Sequence, residues 1–183
     1  MGYTHYWKQN GSFTDEAWKT LKTVFEHVQT TTGIPVQEEY DDASPPVLDS
    51  VEIFFNGVGD DGHETFSLGR HDDGRNFCKT AQKPYDVYVV ALLHAASQVN
   101  EGFSWSSDGN EKDHAAGVAL ADHVLSSPEF MTIEQAVDIV YDLAVQNALS
   151  DDLDELDEMY DEMRRQHVAL DTFHDFAVNN IHE

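Results

Sequence analysis

Cysteine is almost absent: Cys78 stands alone in 183 residues. An internal disulfide is excluded, and the composition fits a reducing compartment. Long apolar runs are missing too; none approaches the roughly 18 residues that a membrane-spanning helix needs. The first residues have neither the charged start nor the apolar stretch of a signal peptide. These absences lead to the expectation of a cytoplasmic protein with no membrane partner. Positive charge is scarce as well. Ten Lys plus Arg stand against 35 Asp plus Glu, a formal charge of −25, and no Lys or Arg occurs from Asp113 to Met163. Such a chain repels a phosphate backbone, so direct nucleic-acid binding is not expected.

What is abundant is acid and aromatic carbon. Ten Phe, seven Tyr and three Trp in a chain 40% hydrophobic suffice for a packed interior and exclude a disordered acidic tail. The acidity has two readings. It imitates the charge of nucleic acid, or it keeps the surface solvated in molar salt, where screening over about 3 Å removes self-repulsion. The acids are spread along the whole chain, with doublets at Asp41-Asp42, Asp60-Asp61, Asp72-Asp73 and Asp151-Asp152. That spread suits adaptation to salt better than a single mimic face.

Residue patterning predicts an α+β core over 1–127, with an antiparallel sheet of about four strands packed against helices. The run Tyr3-Thr4-His5-Tyr6-Trp7 reads as a strand. Thr14 reads as an N-cap for a helix whose apolar residues Trp18, Leu21, Phe25 and Val28 recur at helical steps up to Gly33. The segment from Pro35 to Ser50 reads as a surface connection. Val51–Val58 and His63–Leu68 read as strands around a turn at Gly59–Gly62. A polar stretch from Gly69 to Asn76 leads to a short extended piece at Phe77–Thr80. Pro84 suits the first turn of a helix that is apolar nearly all round from Tyr85 to Val99, and so buried. Phe103–Ser106 reads as a fourth strand and Glu111–Leu125 as a helix. Residues 128–183 read as an acidic helical extension, with helices over 132–149 and 150–183. In the last helix Leu153, Leu156, Tyr160, Met163, His167, Leu170, His174, Ala177 and Ile181 keep heptad spacing. It packs on its own domain or pairs two chains, leaving monomer and homodimer both open.

The few cations are unevenly placed. Arg70, Arg75, Lys79 and Lys83 fall within fourteen residues, directly before the start of the Tyr85 helix. Helix N-termini attract anions, and Thr80 adds a hydroxyl. The cluster therefore predicts a site for a small anionic ligand, against the alternative that each cation pairs with a neighbouring acid. Aromatic rings are plentiful around it: Tyr3, Tyr6, Phe66, Phe77, Tyr85 and Tyr88. Ring stacking with phosphate contacts is how nucleotides are commonly held, so the expected ligand is nucleotide-like. Tyr3, His5, His63 and Tyr85 join the four cations and Thr80 as candidate ligand-binding residues.

Other chemistry is less well supported. His63-Glu64 is not followed by a second histidine at metalloprotease spacing. His5, His63 and His94 would form a metal or acid–base site only if the fold brought them together. No metal ligand set or catalytic set is assigned, and no cofactor is implied. Cys78 reads as a small buried hydrophobe beside Phe77, with a nucleophile activated by Lys79 as the other reading.

The ordered motifs Gly2-Tyr3-Thr4-His5-Tyr6-Trp7, Phe55-Asn56-Gly57, His63-Glu64-Thr65-Phe66, Phe77-Cys78-Lys79-Thr80, Lys83-Pro84-Tyr85-Asp86 and Ser107-Asp108-Gly109 resemble a family of small proteins of tailed viruses and prophages. The resemblance covers about residues 1–125. It implies a viral or proviral origin, with a salt-loving host and its cytoplasm as the setting, and it transfers no catalytic residue. The helices after Pro128 look like an addition to that pattern. Three functions follow as expectations: binding or sequestering a nucleotide-like anion, hydrolysis of such a ligand with His5 or His63 as acid–base, and a non-catalytic role as DNA mimic or virion component.

Overall fold

The computed structural model describes residues 3–39 and 44–127. The chain divides after Leu125 into two units, and everything below concerns the first. The helices expected over 132–149 and 150–183, and the heptad seam with them, lie outside the described residues.

The aromatic opening forms β1 (Thr4–Gln9). After a turn, Thr14 takes an extended conformation and its hydroxyl accepts from the Ala17 amide, capping α1 (Asp15–Thr32). Asp15 and Glu16 sit in the first turn, where the helix dipole favours them. Gly33 ends the helix in the left-handed region, φ 65°, with its N–H on the Gln29 carbonyl. The connection that follows contains two short strands, β2 (Val36–Gln37) and β3 (Val47–Leu48). Both pair with β4 (Glu52–Gly57), which also pairs with β5 (Phe66–Gly69). The return strand starts three residues later than its sequence predicts. Buried Asn56 explains this: its amide donates to the His63 carbonyl and Thr65 Oγ1, and its oxygen accepts from the Gly57 and His63 amides. One side chain thus holds His63–Thr65 as a clamped turn rather than a strand.

β6 (Gly74–Lys79), α2 (Asp86–Val99), β7 (Phe103–Ser107) and α3 (Glu111–Leu125) complete the unit. The strands make two antiparallel sheets rather than one, a three-stranded sheet in the order β6-β1-β7 and a four-stranded one centred on β4. The class is α+β. α2 is buried on all sides, from Tyr88 to Ala96, because neighbours cover every face; it packs on both α1 and α3. Gly117 permits the α3 approach, since a Cβ there would stand 2.7 Å from Val90 Cβ. An aromatic chain joins the layers. Phe25 meets Phe55 and Tyr88 at ring separations of 5.2 and 5.0 Å, Phe55 meets Phe66 at 5.2 Å, and Phe66 meets Trp7 at 5.3 Å. Burying such rings at roughly 25 cal/mol per Å² makes this the main source of stability. Among the described residues no helix is long and apolar enough to cross a membrane.

Candidate functional site

The four cations of the predicted cluster do not meet in one concavity. Arg70 turns back to α1, donating to the Phe13 carbonyl and to Asp15 Oδ1 at 2.6 Å. Lys83 donates to the Asp60 carbonyl at 2.6 Å. Lys79 lies 3.7 Å from Glu64 Oε1, with its ammonium 5.7 Å from the centre of the Phe77 ring. Arg75 stands on the opposite end of β6 and has no ion-pair partner among the described residues. A strand rises about 3.3 Å per residue, so it separates Arg75 from Lys79 by about 13 Å. The remaining candidates scatter in the same way. Tyr85 is buried, its hydroxyl donating to the Glu64 carbonyl at 2.6 Å. His63 is exposed and its Nδ1 faces the Lys79 carbonyl at 2.8 Å. His94 binds Asp122 at 2.8 Å on α2 and α3, so His5, His63 and His94 form no common site. Among the described residues no three His, Cys, Asp or Glu side chains could hold a metal.

Arg75 belongs instead to a surface the sequence did not reveal. In the sheet β6-β1-β7 alternate residues face outward, and the register sets Tyr6 opposite Phe77 and Lys8 opposite Arg75. On the other flank Ser104 and Ser106 oppose Lys8 and Tyr6. Tyr6 is 44% exposed and Phe77 57%, two of the few large apolar side chains left open. They line a groove of about 450 Å³ together with Lys8, Arg75, Ser104 and Ser106. No acid occurs among these outward residues, in a chain where acids outnumber bases 35 to 10. Two features of this face cost stability. Open rings forgo burial, and directly opposed like charges repel.

Tyr3, His5 and Thr80 gather on the inner side of the same sheet. His5 is fully buried; its Nε2 lies 2.7 Å from Asp86 Oδ1, and Thr80 Oγ1 donates to the same oxygen. Asp108 joins in from the turn after β7, its carboxylate accepting from the Thr4 amide and its own amide donating to the Thr4 carbonyl. Tyr3 packs edge-on against His5 at 5.2 Å, and His114 on α3 stands 5.9 Å from it, ring to ring. Four of the short motifs, far apart in sequence, therefore meet at one point. Sequence reasoning missed Asp86 and His114, although Asp86 lies in the quoted Lys83–Asp86 motif. Burial raises the Tyr3 phenol's pKa above its ordinary value; Asp86 adds to this, and the nearby Ser107 and Gln82 side chains only partly oppose it. Burial, then His5, lowers that of His114. Cys78, opposite His5 in the sheet, is buried and its thiol is pushed up to about 12 by desolvation, which leaves no nucleophilic thiolate near neutrality.

No protein-family model, curated protein or solved structure matches the chain.

Proposed function

We propose that the chain binds a small anionic, nucleotide-like ligand on the outer face of the sheet β6-β1-β7. One observation carries this reading: two exposed rings, Tyr6 and Phe77, stand side by side next to an opposed pair of cations, Lys8 and Arg75. A base stacks on an aromatic side chain for about 1–3 kcal/mol. A phosphate between Lys8 and Arg75 turns a repulsive pair into a charge-assisted one. The groove volume of about 450 Å³ falls in the range of small-ligand sites. Arg75 of the sequence-predicted cluster stays in this site, and Lys8, Tyr6 and Phe77 join it; Lys79 lies outside the groove, beside Glu64. Arg70, Thr80 and Tyr85 hold the fold instead. No histidine lines the groove, which favours a binder over a hydrolase acting through His5 or His63. In the viral setting implied by the resemblance, such a binder would withhold a host signalling nucleotide from its receptor.

The experiment is calorimetric titration with a panel of nucleotides in molar KCl. A saturable heat is expected, weakened about tenfold or more by Tyr6→Ala and by Phe77→Ala. A panel with no response removes the proposal. The salt itself is part of the reading. Folding stability should rise from 0.1 M to molar KCl as the screening length drops from about 10 Å to about 3 Å. Flat stability across that range would rule out an acidic surface tuned to brine.

A further inference from the structure

We infer that the outer groove, on the nucleotide-binding reading proposed above, takes a dinucleoside monophosphate: two nucleosides joined by one phosphodiester. A mononucleotide and a longer strand both fit it less well. The outward side chains repeat across the sheet. β6 and β1 each present one ring and, two residues away, one cation: Phe77 and Arg75 on β6, Tyr6 and Lys8 on β1. The rings form one row and the cations another, because the register sets Tyr6 against Phe77 and Lys8 against Arg75. Opposed residues in an antiparallel pair stand about 5 Å apart, and two residues along a strand cover about 6.6 Å. The Lys79 ammonium lies over one face of the Phe77 ring, which is still 57% exposed, so its other face is open.

Two bases use both rings, whereas a mononucleotide leaves one in water. The bases lie side by side rather than on each other, since stacked neighbours in a strand are about 3.4 Å apart and the two columns about 5 Å. Unstacked bases laid on aromatic side chains are a common way of holding single-stranded nucleotides. The phosphodiester then falls in the cation row between the columns. Lys8 and Arg75 reach it from either side, and its charge relieves their repulsion. A ribose spans the step between the rows. Ser104 and Ser106, exposed on β7, bring hydroxyls beside Lys8 and Tyr6 and can bond the sugar above Tyr6. Acids set the length. At the ring end Glu64 Oε2 accepts from the Lys79 amide at 2.7 Å, and the Asp108 carboxylate accepts from the Thr4 amide at 3.0 Å. At the cation end Asp73 is exposed two residues before Arg75. The acid-free strip therefore holds one phosphate. In a chain of formal charge −25 every further phosphate enters a repulsive field, which disfavours a triphosphate as it does a polymer.

The probe is adenylyl-(3′→5′)-adenosine, titrated calorimetrically into the full chain in molar KCl beside adenosine 5′-monophosphate and a longer oligoadenylate. The dinucleotide should bind about tenfold or more tightly than the mononucleotide, the worth of one additional base stack. The oligoadenylate should gain no more than its larger number of dinucleotide steps dictates. Tyr6→Ala and Phe77→Ala, both at exposed positions, should each bring the dinucleotide down to the affinity of the mononucleotide, with circular dichroism confirming that the fold is intact. Equal affinity for mononucleotide and dinucleotide overturns the inference and leaves the nucleotide reading standing, and so does a loss confined to one of the two rings. An oligoadenylate tighter than its steps dictate also overturns it, by showing that the groove takes a strand. Silence from all three removes the inference and the nucleotide reading together.

Discussion

Strand β1 shows two neighbouring faces built to opposite rules. Its inward residues His5, Trp7 and Gln9 are buried and tied to other elements: His5 to Asp86, Trp7 to Phe66, and the Gln9 amide to the Gly69 and Arg70 carbonyls. Its outward residues Tyr6 and Lys8 are exposed and oppose Phe77 and Arg75, with no compensating contact among the described residues. The inner face packs as a folded core does, although His5 Nδ1, Trp7 Nε1 and Gln9 Oε1 have no hydrogen-bond partner among the described residues. The outer face carries rings in water and like charges in register, features that burial and pairing would normally remove. Stability is therefore concentrated on one parity of the strand, and the proposed ligand chemistry lies on the other. Substitutions one residue apart should have effects of different kinds.

The largest expected effect is on the inner face. His5→Ala removes one partner of a buried pair and leaves the Asp86 carboxylate with only the Thr80 hydroxyl on that oxygen. The expected loss is about 3 kcal/mol in urea-unfolding free energy. A loss below about 1 kcal/mol would mean that the pair is not what fastens β1 to α2.

A smaller effect separates the faces by pH. In the unfolded chain His114 takes up its proton near the ordinary value of 6.5, whereas in the folded protein burial and His5 hold it lower. As pH falls below 6.5 the unfolded chain binds the extra proton first. The His114 contribution to stability is thus complete above 6.5 and declines beneath it until the folded state protonates as well. Unfolding curves across this window should be less pH-dependent in His114→Gln than in the parent chain. Parallel curves would show that the imidazole is not held neutral. Outer-face substitutions should leave the pH profile unchanged, because no histidine lines that groove.

Much of the fold could be read from sequence wherever local signals and burial agreed. Thr14 and Gly33 bound α1 as predicted, since capping chemistry is local. The span of α3 agrees as well, and the all-round apolar run of α2 does mark the centre of the core. β6 was half missed. Gly74, Arg75 and Asn76 lack β-branching, and they belong to a strand only because Gln9, Lys8 and Trp7 pair with them across the sheet. The same non-local pairing hid the outer face. Tyr6 and Phe77 are 71 residues apart, and no spacing rule links them. The basic cluster misled for a related reason. Proximity in sequence placed Arg70 and Arg75 together, but the bend between β5 and β6 turns Arg70 towards α1. On the inner side Tyr3 and His5, two of the predicted ligand-binding residues, pack against each other, while Asp86 and His114 needed the packing of α2 and α3 to come into view.

The smallest effect is the most discriminating. Tyr6→Ala and Phe77→Ala remove large exposed rings, and each should change stability by no more than about 0.5 kcal/mol, as ordinary surface substitutions do. Lys8→Ser should go further and stabilise the protein slightly, by a few tenths of a kcal/mol, because it relieves the repulsion with Arg75 across the strand pair. That gain should fade as KCl is raised, since the separation of the two charges then exceeds the screening length. Parallel urea titrations at low and high salt would measure it. A loss of stability on Lys8→Ser would show that repulsion between Lys8 and Arg75 is not a cost to the fold. The gain, together with weaker nucleotide binding, would show that the cation is kept at a cost to the fold, and only a ligand accounts for that.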